Sequence, residues 1–197
     1  MERRSDILRW EMKGRLIVLW LLSIGMLSCG GGFTRWYLNP RADVSYVKKV
    51  AVFPLLNHSR DNLAHEKVRD ILETELLITQ RFEVVDRGEV DRVMREMRVR
   101  GAREISPRIL MKAASRLGVH AVIMGAVEEY APQTGGGSVP VVTLSLKLLD
   151  AQSAKVIWQA TGTEKGGGAL NRLFGIGEKS VDEVAQILIR RLLRTLI

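Results

Sequence analysis

Few of the side chains that could perform chemistry stand close together in this sequence. The chain has three histidines, which are His58, His65 and His120. None of them is paired with a cysteine or with another histidine at the spacing of a metal site. Asp61 and Glu66 lie near His65, but acidic residues are favoured wherever a helix begins. Ser59 and Asp61 could be combined with His58 into a catalytic triad, although nothing in their spacing supports one.

The glycine-rich segments do not form a nucleotide-binding loop either. Residues 134–138 read TGGGS and residues 165–177 read KGGGALNRLFGIG. Neither segment follows a strand and opens a helix, as dinucleotide-binding loops do, and the chain has no P-loop and no GxSxG motif. Long glycine runs are typical of flexible hairpin loops. The sequence therefore predicts a protein that is not an enzyme and that has no metal or cofactor.

The remaining reactive group is the thiol of Cys29, the only cysteine of the chain, so no internal disulfide can form. A basic stretch ends at Lys13 and Arg15, an apolar run follows over residues 16–26, and Cys29 comes three residues later. This is the order of a secretory signal peptide. The apolar run is shorter than the roughly 20 residues that a membrane-spanning helix needs. Met12 would begin a signal peptide of more usual length, so it is a second candidate for the start of translation.

The run Met26-Leu27-Ser28-Cys29 resembles the lipobox of bacterial lipoproteins. In that family the cysteine thiol receives a diacylglyceryl group, the chain is cut just before the cysteine, and the new amine is acylated with a fatty acid such as palmitate. The resemblance implies a signal peptide over residues 1–28 and lipidation of Cys29. Gly30 implies export to the outer membrane, since aspartate at that position retains the family's members in the inner membrane. We expect a lipid-anchored protein on the periplasmic side of the outer membrane.

The positive charge of the chain does not by itself identify a partner. The formal net charge is +8, of which residues 1–28 contribute +2. Such a surplus could serve nucleic acid or an anionic membrane surface. The basic residues are spread over several predicted helices, and no aromatic residues are interleaved with them as a single-strand binding surface would need. We interpret the charge as a solvated surface and expect no binding of nucleic acid.

The apolar pattern predicts secondary structure in the order β-α-β-α-α-β-β-β-α. Strands are predicted at Val47–Leu56, Arg81–Asp86, Val119–Val127, Val141–Asp150 and Val156–Thr163, and helices are predicted to begin near Asn62, Asp86, Ser106 and Ser180. Asp86 with Glu89, and Ser180 with Glu183, have the form of capping boxes. Gly118 is predicted to end the third helix in the left-handed conformation.

Two of the predicted strands differ in how they should be buried. Val119–Val127 is apolar throughout, which indicates a strand in the middle of a sheet with both faces covered. Val141–Asp150 alternates, which indicates one face against the core and one against water. We predict a single α/β domain over residues 47–197, with a mixed sheet and helices packed mainly on one face. Residues 29–46 are predicted to be the lipidated cysteine and a linker that reaches at most ~60 Å.

Four segments together resemble the curli production assembly/transport lipoprotein family: VKKVAVFPLLN, FEVVDRGEVDRVMREM, AASRLGVHAVIMGAVEEY and LSLKLLDAQSAKVIWQATGTEK. The resemblance implies a ring-forming outer-membrane lipoprotein that faces the periplasm. In the curli secretion channel each subunit also adds two β-hairpins to a transmembrane barrel. The corresponding segments here are Pro132–Pro140 and Gly166–Lys179, and both are shorter than the roughly 20 residues of such a hairpin.

Several functions remain open from the sequence. The first hypothesis is a non-catalytic secretion or envelope-assembly component of the curli type, which acts as a homo-oligomer with protein partners in the envelope. The alternative is an activator or regulator of peptidoglycan synthesis, as in lipoproteins of similar fold, although a linker of ~60 Å counts against contact with an inner-membrane synthase. A small secretion pore is a third hypothesis. The sequence does not identify the partner, the secreted substrate or the stoichiometry.

Overall fold

The computed structural model describes residues 32–42, 44–131, 139–167 and 179–196. The predicted signal peptide and Cys29 lie outside these ranges, as do most residues of both segments considered as hairpins. Residues 32–197 form one unit. The predicted signal peptide over residues 1–28 and the predicted lipid anchor at Cys29 therefore remain predictions.

The elements follow the predicted α/β pattern, and most lie where they are predicted. In chain order they are β1 (Phe33–Leu38), β2 (Lys49–Val52), β3 (Leu56–Asn57), α1 (Ala64–Thr79), β4 (Glu83–Val84), α2 (Arg87–Glu96), a 3₁₀ turn (Ala102–Glu104), α3 (Pro107–Leu117), β5 (Ala121–Ala131), β6 (Val141–Asp150), β7 (Val156–Lys165) and α4 (Val181–Leu193). The predicted first strand is divided in two around Pro54, because proline has no N–H to donate to a ladder.

One mixed sheet contains all seven of these strands. Its order is β1-β7-β6-β5-β2-β4, with β3 also paired to β5. The pairs of β2 with β4 and β5, and of β3 with β5, are parallel. The pairs of β5 with β6, β6 with β7, and β7 with β1 are antiparallel. The mixed sheet is therefore confirmed, and β5 is the strand at which parallel pairing changes to antiparallel pairing.

The helices cover both faces of the sheet rather than mainly one. On the first face α1 and α4 pack with Val50, Ile123 and Trp158. On the second face α2 and α3 pack with Phe53 and Val122. The prediction of helices mainly on one face differs from this arrangement because β2 and β5 are apolar at successive residues, so both of their faces have to be removed from water.

The helix caps follow local sequence closely. Ser180 Oγ accepts a hydrogen bond from Glu183 N at 3.2 Å, and Glu183 Oε2 accepts one from Ser180 N at 2.7 Å, which confirms this capping box. Gly118 ends α3 with φ 63°, as predicted. At α2 the side chain of Asp86 accepts a hydrogen bond from Gly88 N at 2.8 Å. Asp86 is thus a helix cap, but its partner is not the predicted Glu89.

The segment predicted as a linker contains a strand. Phe33–Leu38 pairs with β7 along its whole length, from Phe33 opposite Thr163 to Leu38 opposite Trp158. Its exposed aromatic residues lie on both faces, so the strand has no apolar–polar alternation by which sequence could reveal it. Only residues 30–32 separate Cys29 from this strand, a span of at most ~14 Å between Cys29 and Phe33. Because Phe33–Leu38 is paired in the sheet, these residues cannot contribute to a free linker, and the predicted reach of ~60 Å would have to be shorter by their length.

Helix α4 is held to α1 through a buried carboxylate. Glu75 of α1 is 3% exposed. It accepts hydrogen bonds from Arg190 Nε at 3.0 Å, Arg190 Nη2 at 2.9 Å and Gln186 Nε2 at 2.9 Å. These bonds hold the pKa of Glu75 below its usual value, chiefly through Arg190. Because buried charges need such partners, the pair fixes how α4 lies along α1.

A second buried charge joins three elements. Arg69 of α1 is 4% exposed. Its Nε and Nη2 donate to the carbonyl oxygen of Val52 in β2, at 3.2 and 2.9 Å. Its Nη1 donates to Asp91 of α2 at 2.7 Å. One guanidinium therefore links a helix on the first face of the sheet, a strand and a helix on the second face.

Glu73 lies next to this guanidinium but is poorly satisfied. Its Oε1 is 3.3 Å from Arg69 Nε. This oxygen is nevertheless buried without a hydrogen-bond partner among the described residues, because Arg69 directs its donors to Val52 and Asp91. Burial raises the pKa of Glu73 to about 7, and the nearby Arg69 and Arg87 only partly oppose that rise.

We expect Arg69→Met to reduce the free energy of unfolding by about 3 kcal/mol, because it leaves Val52 O and Asp91 without their donor. Urea unfolding at pH 7.5 measures this loss. The matched control is Arg92→Met, since Arg92 is 56% exposed and pairs with Glu96 on the surface. Exposed pairs contribute less than about 1 kcal/mol. Equal losses in the two variants would contradict the assigned role of Arg69.

We expect the protein to lose stability as pH rises from about 4.5 to 7, in part through Glu73. Its raised pKa means that the folded state binds a proton in this window that the unfolded state has released. Glu73→Gln removes that titration, so the variant should lose less stability than the wild type between pH 5 and 8. Urea unfolding at four pH values measures the difference. The control is Glu89→Gln, at a half-exposed position, which should have the same dependence of stability on pH as the wild type. If Glu73→Gln also has the wild-type dependence, the prediction is wrong.

Candidate interaction site

The three histidines singled out from the sequence do not form one site, and each has different hydrogen-bond partners. His58 Nδ1 is 2.9 Å from Glu128 Oε2, which joins the loop after β3 to β5. His65 Nδ1 is 3.4 Å from Asn57 Nδ2. His120 Nδ1 accepts hydrogen bonds from the backbone N–H groups of Lys48 and Lys49, at 3.3 and 3.0 Å. Each of these contacts holds local structure.

The other residues of the imagined triad and metal site are helix-start residues. Asp61 accepts hydrogen bonds from Leu63 N at 2.8 Å and from Lys67 Nζ at 2.9 Å, and these bonds lower its pKa. Ser59 Oγ donates to Asn57 Oδ1 at 2.7 Å. Glu66 is 3.8 Å from Arg87. The described residues contain no group of three or more potential metal ligands.

The predicted lipidation site lies outside the described residues, so the structure does not place Cys29. The same holds for residues 132–138 and 168–178, which make up most of the two segments compared with barrel hairpins. Within the part of the chain that the structure describes, no helix is both long and apolar enough to cross a bilayer.

A groove of about 410 Å³ lies on the second face of the sheet, and we call it the sheet groove. Its floor is formed by β5 and β6, and its walls by the start of α3 and by the β6–β7 turn. The apolar lining comes chiefly from Leu56, Ile105, Leu110, Met124, Leu149 and Val156. Because α2 and α3 cover only the β2 and β5 side of this face, the groove opens where the helix layer ends.

Charged groups stand at two places in the sheet groove. The His58–Glu128 pair lies at its edge, where the register of β5 shifts between Val127 and Glu129. Lys147 lies on its floor. Lys147 is half-buried and makes no ion pair with any residue that the structure describes. A half-buried ammonium without a counter-ion favours a carboxylate or another anion beside it.

Beyond the groove the second face of the sheet is polar. Hydroxyl groups face each other across the strands, with Thr143 3.0 Å from Thr163 and Thr161 3.1 Å from Ser145. Gly125 allows β5 and β6 to approach, since a Cβ there would collide with the carbonyl oxygen of Ser145. The arrangement is suited to binding an apolar segment that carries an acidic group.

Sequence reasoning did not find this groove, although part of its signal was present. The alternation predicted for Val141–Asp150 turns Thr143, Ser145 and Lys147 away from the core, and β6 has this alternation. What the pattern could not show is that α3 stops short of these residues. Residues of β3, β5, β6 and the start of α3 meet there, and their separation along the chain hides them from any local pattern.

Comparison with known proteins places this architecture in a family of the bacterial envelope. Residues 37–163 match the family model of the peptidoglycan-synthase activator LpoB. The matched range begins in β1 and ends in β7, so it includes the sheet groove. No curated protein matches the chain. The match supports an envelope role, and it does not support the curli-specific part of the resemblance, which stays a prediction.

Solved structures with the same fold include a dodecameric protein and a lipoprotein. A variant of the PelC dodecamer from Paraburkholderia phytofirmans is 25% identical, covers 84% of this chain and 98% of its own, and has a TM-score of 0.61. A second crystal form of this dodecamer is 21% identical, covers 84% and 97%, and has a TM-score of 0.57. Lipoprotein GNA1162 from Neisseria meningitidis is 19% identical, covers 76% and 97%, and has a TM-score of 0.54.

The last two likenesses show the fold alone. The family assignment depends on the family model, whose match extends over more than half of the chain, from the end of β1 to near the end of β7. The chain belongs to the family of the peptidoglycan-synthase activator LpoB.

Proposed function

We propose that this chain is a non-catalytic, lipid-anchored protein of the outer membrane that faces the periplasm and regulates peptidoglycan synthesis by binding a synthase. The observation that carries the proposal is the match of residues 37–163 to the synthase-activator family. The lipobox-like run that ends at Cys29 supports the anchor. The function is regulatory because the family is described as an activator of another enzyme.

The position of β1 changes how such a regulator would meet its target. With at most ~14 Å of chain between Cys29 and the first strand, the domain stays at the membrane that holds its lipid. A synthase in the inner membrane would have to extend a domain toward the outer membrane to reach it. On the sequence alone, limited linker length counted against contact with an inner-membrane synthase. Here the short connection means instead that the synthase has to reach the domain.

The sheet groove is the surface that we assign to this partner. It combines apolar walls with Lys147, which has no ion-pair partner among the described residues, a combination that suits a partner segment with apolar side chains and a carboxylate. Interfaces of this kind depend on a few central anchors surrounded by a polar rim. Ser145, which lines the groove, and the threonine hydroxyls next to it would form part of that rim.

We expect Lys147→Glu to weaken binding of a purified synthase from the same organism by about tenfold, because it replaces the attracting charge with a repelling one. The rate at which that synthase polymerises its lipid-linked precursor, titrated with the regulator, gives both the affinity and the activation. Lys112→Glu on the exposed surface of α3 is the control with the same change of charge. If the wild-type protein does not activate the synthase, the proposed function is wrong. If Lys147→Glu and Lys112→Glu activate it equally, only the assignment of the sheet groove is wrong.

The likeness to PelC favours a second candidate function. PelC of Paraburkholderia phytofirmans is described as a dodecamer, and the 25% identity extends over 84% of this chain. In this case the chain would be a ring-forming component of export or assembly, the class in which the curli-type secretion role predicted from sequence also belongs.

We expect native mass spectrometry of the acylated protein in detergent micelles to show a closed ring of many copies if this second function holds. Heterologous contacts close into rings when their rotation allows it. A strictly monomeric protein at micromolar concentration would contradict the ring and leave the synthase regulator as the remaining function.

A further inference from the structure

Strand β1 exposes more large apolar surface than any other described strand. Phe33 is 56% exposed, Trp36 58%, Tyr37 52% and Leu38 37%. The other exposed large hydrophobic side chains among the described residues are Tyr46, Leu63, Leu77 and Ile78. A single exposed apolar residue needs no explanation, but four within six residues form a patch, and such patches mark interaction sites.

The register with β7 divides this patch between both faces of the sheet. Phe33 and Tyr37 are opposite Thr163 and Gln159, whereas Trp36 is opposite Ala160. Since opposite residues in a ladder share a face, aromatic rings project on both sides of the strand. In the described sheet β1 is also an edge strand, with β7 as its neighbour. The exposed apolar side chains of β1 therefore share the edge of the sheet rather than one of its faces.

The place of β1 in the chain brings this edge to the lipid. Cys29 precedes Phe33 by four residues, so a lipid at Cys29 lies within ~14 Å of the start of the strand. This argument rests on the proposed function, because it needs the anchor at Cys29. An anchor by itself holds the domain near the bilayer but does not fix the orientation of the domain.

The chemistry of the edge matches the headgroup layer of a bilayer. Tryptophan and tyrosine are enriched at membrane interfaces, where an apolar ring and a polar tip are both satisfied. Arg35 is the charged residue of β1, and its guanidinium lies 5.9 Å from the centre of the Phe33 ring. It is suited to pair with lipid phosphate. The edge N–H and C=O groups would remain hydrated in this layer, whereas they could not enter the hydrocarbon.

We propose that the β1 edge, formed by Phe33, Arg35, Trp36, Tyr37 and Leu38, docks against the lipid headgroups next to the anchor and sets the orientation of the domain on the membrane. The anchor supplies proximity, and the aromatic edge selects one orientation of the domain on the bilayer. The occupant of the surface is phospholipid, and a second copy of the chain is the competing occupant that the experiment has to distinguish.

The chain contains its own reporter for this contact. Residues 29–197 hold two tryptophans, Trp36 and Trp158, of which Trp158 is fully buried. The acylated protein is reconstituted into vesicles of phosphatidylethanolamine and phosphatidylglycerol that contain brominated acyl chains, which quench nearby indoles. We expect the wild-type fluorescence to be quenched and the residual signal of Trp36→Phe, which comes from Trp158, to be unaffected.

Two further variants test whether the edge as a whole makes the contact. Phe33→Ser combined with Tyr37→Ser keeps the reporter and should lose most of the quenching. Leu77→Ser combined with Ile78→Ser changes two residues that are equally exposed on α1 and should keep it. Circular dichroism establishes that each variant is folded, and equal quenching in both double variants would overturn the proposal.

Mass spectrometry of the same sample separates the failure of this inference from the failure of the proposed anchor. If Cys29 carries its lipids and Trp36 is open to aqueous acrylamide but untouched by brominated lipid, the docking edge is wrong and the anchored regulator stands. If Trp36 is shielded from acrylamide without lipid quenching, a second copy covers β1 and the proposal is overturned. If Cys29 is unmodified, the anchor itself fails and the docking edge fails with it.

Discussion

The burial of β5 on both faces is the constraint on which the rest of the domain depends. Val122 and Ile123 are adjacent in this strand, point to opposite faces, and are both fully inaccessible to solvent. A strand of this kind has to lie inside the sheet and under helices on both sides. It therefore takes β2 and β3 as parallel neighbours and β6 as an antiparallel one, and it requires α1 with α4 on one face and α2 with α3 on the other.

The second face of the sheet is only partly covered because the strands beyond β5 do not need covering there. The side chains of β6 on that face, such as Thr143 and Ser145, are polar and can remain near water. The helix layer ends at this change of polarity, and the sheet groove opens beside it. The same change leaves Lys147 half-buried between apolar walls, so the binding chemistry of the groove is a consequence of how the core is completed.

Two surfaces of the molecule then differ in their chemistry. The β1 edge lies next to the predicted anchor and carries aromatic side chains suited to a lipid interface, while the groove lies on the face of the sheet formed by β5 and β6. Arg69 and Glu75 hold the helices in fixed positions on the sheet. In the proposed function, this division would let a regulator anchored at one membrane present a defined surface to a partner that arrives from elsewhere.

The sequence by itself determined the features that local interactions control. The cap at Ser180 and its partner Glu183 are three residues apart, and the alternation of β6 and the left-handed end at Gly118 depend on neighbours in the chain. Tertiary structure decided the rest. Phe33 meets Thr163 across 130 positions, and Arg69 finds Val52 and Asp91 on two other elements, so neither contact leaves a periodic signal. The class of fold could be predicted from apolar periodicity, whereas the strand in the supposed linker, the second helix layer and the groove arise only when distant segments pack against each other.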